Sequence, residues 1–435
     1  MQHLSAARAA GFDFFKRGDF MRNNNRRSQT VVILLCWAAY AAAYLGRLNF
    51  NAYIEPIRDQ LGASKTELGL VSSCFFFAYG AGQLVHGILS RRYNTRWSVA
   101  VALFGSAAVN LAMTLCTGVA PMKVLWLLNG VFQSILWSSL IKTLSDRLPD
   151  ELLPRAIVVM STPTAFGTFL IYGLSALFSA GGVSWRWVFR LPAAVLAAVG
   201  VLWFVLLGRA DSRLLAAGER AYVPAEKKRV KLTRAFVVPA LLLLFAAVAN
   251  GFIKDGVTTW TPSILKESYG MKESLSIFVT VLLPLLAIFG AWFSTALHKK
   301  QKNTSVLNGL LYGAETVVLL LVLLVTRAQR TAANPAFPIV LFAVSAMLMH
   351  AVNNVITSII PMYLRDTMDS GLLAGVLDTF CYVGSTLSTA LLGYIADRGT
   401  WDHVFRCLLL FGAAACALCW VSAAFKKKAP AAQAQ

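Results

Sequence analysis

Twelve apolar stretches, each about twenty residues long and separated by short polar connections, constrain this chain more than any other feature. A helix needs roughly 20 mostly apolar residues to cross the hydrocarbon of a bilayer. Residues 30–53, 67–89, 97–118, 122–143, 156–180, 187–208, 235–259, 274–297, 304–326, 336–360, 371–396 and 401–424 meet that requirement. Inside lipid each backbone polar group must be satisfied within its own segment, so every stretch is expected to be a helix. Composition agrees. Of 435 residues, 57% are hydrophobic and 14% charged, where soluble domains carry roughly a quarter charged residues. The expected fold class is an all-α membrane protein with twelve transmembrane helices.

The formal net charge of +20 needs a separate explanation. A nucleic-acid binder would place such charge on a polar folded surface, which this chain lacks. Lys and Arg instead crowd one set of connections: Arg8, Lys16, Arg17, Arg22, Arg26 and Arg27 before the first stretch, Arg91, Arg92 and Arg96 after the second, and Lys299, Lys300 and Lys302 after the eighth. The longest polar connection adds Lys227, Lys228, Arg229 and Lys231, and the C-terminus adds Lys426, Lys427 and Lys428. With Arg147, Arg155, Arg365, Arg209, Arg213, Arg220 and Arg234 on the same side, these outnumber the basic residues of the alternate connections by more than two to one. By the positive-inside rule both termini are expected in the cytoplasm, with the basic loops beside anionic lipid. The leading polar, basic segment fits an uncleaved first span better than a secretory signal, and Met21 is an alternative start. The seven cysteines all lie in apolar stretches. Cys416 and Cys419 form a C-x-x-C with no second pair or nearby His, which reads as packing rather than a metal or redox site.

The long connection divides six stretches from six. The expected organisation is a cytoplasmic tail (1–29), an N-terminal six-helix bundle (30–208), a cytoplasmic linker (209–233), a C-terminal six-helix bundle (234–425) and a tail (426–435). The halves share a weak repeat. Trp185-Arg186-Trp187-Val188-Phe189-Arg190 recurs as Trp401-Asp402-His403-Val404-Phe405-Arg406. Arg47 is followed by Tyr53 and Pro56, as Lys254 is by Trp260 and Pro262. Two parallel six-helix repeats with a site near the midplane are the pattern of major facilitator transporters.

Several ordered fragments narrow the resemblance. Tyr44-Leu45-Gly46-Arg47-Leu48-Asn49-Phe50, Ala78-Tyr79-Gly80, Phe132-Gln133 with Trp137, Trp260-Thr261-Pro262 and Gly393-Tyr394-Ile395-Ala396-Asp397-Arg398 together resemble the organophosphate:phosphate antiporters, the bacterial glycerol-3-phosphate and hexose-phosphate exchangers. The resemblance runs over nearly the whole span region. It implies a phosphorylated organic substrate, inorganic phosphate as the exchanged anion, a position in the cytoplasmic membrane and no cofactor. It also implies that the positions of Arg47 and Lys254 are those that clamp phosphate. This chain departs from that pattern in four places. Lys254 stands where Arg is usual, Gln83 where a Lys is usual, Thr164 where a His is usual, and Arg91 where an Asp is usual in the loop after the second stretch.

The residues themselves support a site at these positions. Placing a cation at the bilayer centre costs about 2.5–3.5 kcal/mol on insertion scales, so it normally has a role or a partner. Tyr40, Tyr44, Arg47 and Asn51 recur on one helix face, as do Asn250 and Lys254. Two such cations facing each other would repel when empty, and a phosphate dianion would offset that, with Arg holding it by paired hydrogen bonds. The other reading is that both long side chains reach for the interface. Tyr79, Trp137 and Tyr382 are candidates to line a sugar cavity or to pack as core. Asp378, on one face with Tyr382, reads as a coupling or cavity acid: a proton carrier, a hydroxyl acceptor, a partner for Lys254, or half of a structural pair. Asp255 and Glu315 read as structural or cavity-facing acids, and Lys142 as a basic residue at a helix end. His86, His350, Asn353 and Asn354 are polar enough to face the cavity.

The sequence thus points to a monomeric secondary transporter that exchanges a phosphorylated solute for phosphate, with no nucleic-acid partner. A proton-coupled organic-anion symporter using Asp378 and a non-transporting sensor of hexose phosphate are the alternatives. An enzyme is not expected, since the chain shows no nucleophile–base constellation, metal cluster or nucleotide loop.

Overall fold

The computed structural model describes the backbone of residues 2–89, 94–149, 151–215, 234–328, 335–363 and 370–428, all of it helical or in short connections. Twelve helical spans are long and apolar enough to cross a membrane: span 1 (Arg27–Ala52), span 2 (Lys65–His86), span 3 (Thr95–Met113), span 4 (Val119–Arg147), span 5 (Arg155–Ala180), span 6 (Trp187–Ser212), span 7 (Ala240–Tyr269), span 8 (Glu273–Lys300), span 9 (Thr304–Arg327), span 10 (Ala336–Tyr363), span 11 (Leu373–Arg398) and span 12 (Trp401–Phe425). Each lies within about five residues of a stretch read from the sequence except span 7, which runs on to Tyr269 where the sequence reading ended at 259. Large apolar side chains such as Phe77, Val124, Leu177, Trp292 and Leu410 stand exposed on the spans, as a surface in contact with lipid requires.

The basic leader is continuous with span 1 in one helix, Gln2–Ala52. The helix of span 6 runs on to Leu215, and the rest of the expected linker, with Arg91 of the loop after span 2, lies outside the described residues.

Spans 1 to 6 pack mainly among themselves, 1 on 5 and 6, 2 on 4, and 3 on 4 and 6. Spans 7 to 12 repeat the pattern with 7 on 11 and 12, 8 on 10, and 9 on 10 and 12. Span 2 against span 11 and span 5 against span 8 join the two sets. With an even number of spans, the chain enters and leaves on one face, called the near face below; the opposite is the far face.

Prolines break three spans. A proline lacks the N–H for the i→i−4 bond and its ring crowds the carbonyl four residues back. Span 5 is interrupted between the helices Leu153–Val159 and Pro163–Ala180. Span 8 is interrupted at Val281, three residues before Pro284. In span 10 the crowding opens a π-helical turn, Val355–Ile359, just before Pro361, the usual local answer to such a clash.

The far face is sealed by charge. The short helix Ile54–Leu61 after span 1 carries Glu55, Arg58 and Asp59, and these meet the far ends of spans 7 and 8. Arg58 pairs with Glu267 at 2.6 Å and Lys65 joins the same carboxylate at 3.1 Å. Lys266 reaches Asp59 at 2.6 Å, Glu273 at 2.8 Å and Glu55 at 3.7 Å. Asp397 of span 11 accepts the Lys65 and Thr66 amides at 3.0 and 2.7 Å, capping the span 2 helix from the other half, where its dipole favours an anion. Glu55 is 1% exposed and also accepts from the Ser263 hydroxyl. Burial raises its carboxyl above the usual range, against the opposing pull of Ser263, Arg58 and Lys266. Asp59 is held below its ordinary value: burial works upward, but the Lys266 and Arg58 contacts outweigh it.

Candidate functional site

Arg47 sits in the far half of span 1 and is 8% exposed. No carboxylate among the described residues pairs with it. Aromatic rings surround it instead: the guanidinium carbon lies 4.5 Å from the Tyr79 ring centre, 4.7 Å from Tyr44 and 5.5 Å from Phe75. Such cation–π contacts stabilise a desolvated cation without neutralising it. Its Nη2 donates to the Tyr382 hydroxyl of span 11 at 3.2 Å, while its buried Nε has no partner. A small cavity lined by Leu48, Asn51, Ser72, Phe75, Phe76 and Trp126 opens beside it.

Tyr40 packs against Trp137 at 4.9 Å with tilted rings and meets Tyr44 edge-on at 5.3 Å. Tyr79 and Tyr382 meet at 4.8 Å across the two halves, and Gln83 donates to the Tyr79 hydroxyl at 2.9 Å. The structure therefore gathers Tyr40, Tyr44, Arg47, Tyr79, Trp137 and Tyr382 into one connected set. Gln83, the departure from the resembled family, supplies a neutral amide there.

On the other side, Lys254 lies 3.7 Å from its neighbour Asp255, which also accepts from Ser385 Oγ at 2.5 Å. The charges that act on the Asp378 carboxylate are Lys254, Arg47 and Asp255, in that order. Asp378 makes no ion pair within 4 Å among the described residues, so the carboxylate paired with Lys254 is Asp255. Asn250, one turn back, donates to Asn353 of span 10 at 2.9 Å. His350 lies close enough to feel both Lys254 and Asp255. The strong repulsion read from two facing cations is thereby offset, because two carboxylates share the region.

Other candidates resolve into supporting places. Glu315 is fully buried and accepts from Ser345 at 2.6 Å, a contact between spans 9 and 10 away from the cavity. Asn354 ties span 10 to span 8 through Ser294 at 3.0 Å. Lys142 pairs with Asp146 one turn on at 3.5 Å. Thr164 donates to the Ser161 carbonyl at 3.3 Å, within the break in span 5.

Sequence reading missed the group that braces Arg47. The carbonyl of Gly46 accepts from Asn129 at 2.8 Å and from Asn110 at 3.1 Å. Asn49 donates to Asn110 at 2.7 Å, and Ser106 to Asn129 at 2.6 Å. Gln133 reaches the Ala43 carbonyl at 3.2 Å. The Phe50 amide, whose helical acceptor position is Gly46, donates to the Asn49 side chain at 3.0 Å. All five side chains are buried. Gly46 permits the approach, since a Cβ there would collide with Leu196 of span 6. Asn49 lies within the recognised span 1 fragment, but amides on apolar helices carry no distinctive spacing.

Among the described residues, twelve spans in two interlocking sets, with the buried cation Arg47 where the sets meet, define a polytopic membrane protein. Residues 36–344 match the family described as Major Facilitator Superfamily. The chain belongs to that superfamily. It is 26% identical to the glycerol-3-phosphate transporter of Bacillus subtilis (strain 168), over 88% of this chain and 90% of that protein. It is 25% identical to the hexuronate transporter of the same organism, over 86% of this chain and 90% of that protein. Among solved structures, a bacterial homolog of the human lysosomal transporter Spinster, in an inward-facing and occupied conformation, superposes with a TM-score of 0.70 at 13% identity, covering 91% of this chain and 97% of that one. That likeness concerns the fold.

Proposed function

We propose that this protein is a secondary transporter of the cytoplasmic membrane that exchanges a phosphorylated organic anion for inorganic phosphate. Its halves rock about a central site, both termini face the cytoplasm, and one chain suffices. The observation that carries the reading is Arg47, buried in a ring of aromatic side chains, its Nε unpaired and no carboxylate among the described residues paired with it. A cation left in that state favours whichever conformation brings an anion to it, and Lys254 adds a second positive group from the other half. The glycerol-3-phosphate transporter among its relatives supports a phosphate ester. In this reading the far-face seal is one of two alternating closures, released when the near face shuts. Proteoliposomes loaded with phosphate test it. Labelled phosphate or glycerol 3-phosphate outside should enter only against internal phosphate, and uptake that ignores internal phosphate would contradict exchange.

One observation favours a second reading, proton-coupled symport of an organic anion. Asp255 and Asp378 offset Lys254 and Arg47, so the empty site is near neutral and the empty carrier can reorient without burying a repelling pair. Obligatory exchange is then not enforced. Uptake driven by an imposed pH gradient without internal phosphate, and lost in Asp378→Asn, is the result this reading expects.

A further inference from the structure

Between Arg47 and the charged far-face seal lies a buried, uncharged contact that joins three spans. Ser72 of span 2 donates to Asn51 Oδ1 of span 1 at 2.7 Å, and Asn51 Nδ2 donates to Thr259 Oγ1 of span 7 at 3.2 Å. Asn51 is 6% exposed, and Ser72 and Thr259 are 1% exposed. All three spans carry the same order of parts. Span 1 runs from Arg47 through Asn51 to the short helix with Glu55, and span 7 from Lys254 through Thr259 to Lys266. Span 2 runs back from Thr66 of the seal through Ser72 to Tyr79. Spans 1 and 2 belong to one half and span 7 to the other. The Asn51–Thr259 bond therefore holds the two halves together about one helical turn beyond Arg47.

The same amide stands beside the anion site. Four residues apart on a helix, Arg47 and Asn51 share a face, and both line the small cavity together with Ser72, Phe75 and Phe76. Among the described residues no carboxylate lines it, and the buried Nε of Arg47 has no partner. An anion at Arg47 thus has an amide donor one turn away, but with the far face closed that donor is engaged by Thr259. Hydrogen bonds to a charged acceptor are about twice as strong as those between neutral groups, so an anion competes well for this N–H. When the halves part on the far side, Thr259 leaves with the C-terminal set. Ser72 stays with Asn51 in the N-terminal set and keeps its carboxamide oriented.

We propose that Asn51 is a donor shared between ligand and latch. With the far face open it binds the anion alongside Arg47, and as the far face closes it passes the same N–H to Thr259. Closure then loosens the hold on the anion and favours its release toward the near face. This rests on Arg47 forming the anion site.

Thr259→Val and Asn51→Leu break the same hydrogen bond from opposite ends. The first removes the acceptor with little change of shape and frees the amide for the anion, and the second removes the donor itself. Inorganic phosphate and gluconate are the probes, titrated calorimetrically into the purified full chain, and spin-label distances between the far ends of spans 1 and 7 report far-face opening. Both variants should open the far face. Thr259→Val should tighten anion binding by about threefold or more, whereas Asn51→Leu should weaken it by about tenfold. Asn51→Gln, which keeps a donor, should bind between wild type and Asn51→Leu. Ligand-free thermal midpoints show which variants are folded, and if Asn51→Leu is not, Thr259→Val carries the test alone. A structural latch would shift both affinities in the same direction, and that result overturns the inference. So does unchanged or weakened binding in Thr259→Val, or unchanged binding in folded Asn51→Leu, each of which leaves the anion site intact. Binding of neither probe by the wild type overturns the anion-site reading as well.

Discussion

The Arg47 guanidinium donates to the Tyr382 hydroxyl at 3.2 Å, tying span 1 to span 11 and joining the two halves at the candidate site. A ligand that recruits Arg47 competes with this contact. Hydrogen bonds to charged groups contribute about 1.5–3 kcal/mol, so Tyr382→Phe should tighten anion binding, by about tenfold or more, as measured by calorimetric titration of the purified protein. Weakened binding would show that Tyr382 holds the ligand rather than competing with it.

The far-face seal should respond to pH through Glu55. Its carboxyl is raised by burial when the seal is closed, so its contribution to closure is full below the ordinary value of 4.5 and is lost as pH rises through the raised value. Asp59 acts in the opposite sense, supporting closure above 3.8 and losing it as pH falls through its lowered value. From the ordinary Glu55 value upward, rising pH should therefore weaken the seal. Spin-label distances between the far ends of spans 1 and 7 check this, and Glu55→Gln should flatten the trend.

Two glycine substitutions should fail differently. A Cβ at Gly69 would collide with the Thr389 carbonyl, a contact between the halves, whereas a Cβ at Gly251 would collide with the Cys381 carbonyl within the C-terminal set. Gly69→Ala should leave the protein folded but shift it away from far-face closure, by about 1–3 kcal/mol. Gly251→Ala should lower yield and thermal stability in every conformation. Cysteine accessibility at Ser73, with thermal melts alongside, distinguishes the two.

The amide brace on Gly46 should matter for affinity as well as for stability. Asn129→Leu removes one donor to the Gly46 carbonyl and leaves the Ser106 hydroxyl without its acceptor, a loss of about 1–3 kcal/mol. Because Arg47 is the next residue, anion affinity should fall in melt-tested, folded protein. Unchanged affinity would confine the brace to structural support.

Much of this architecture is legible in the sequence. Span length follows from bilayer thickness, and Arg47 and Lys254 stand out because buried cations are costly in lipid. The breaks at Pro163, Pro284 and Pro361 are written in the residue itself. What is hidden depends on pairing between distant segments. Glu55, Arg58, Lys266 and Glu267 read as ordinary helix-end charges until the two halves bring them together. Asp255, adjacent to Lys254 in sequence, pairs with it while also accepting from Ser385 of span 11, a contact only the fold reveals. Asn110 and Asn129 are unremarkable on their own helices, and their meaning lies in a carbonyl on a third.

Anion binding at Arg47 is the central claim, and equilibrium binding of inorganic phosphate and small organic anions to wild type, Arg47→Ala and Arg47→Lys tests it most directly. The account predicts that Arg47→Ala abolishes ligand-induced thermal stabilisation while the ligand-free protein remains folded. Arg47→Lys, which keeps the charge but not the planar fork, should retain weakened binding. Wild-type affinity in folded Arg47→Ala would contradict it.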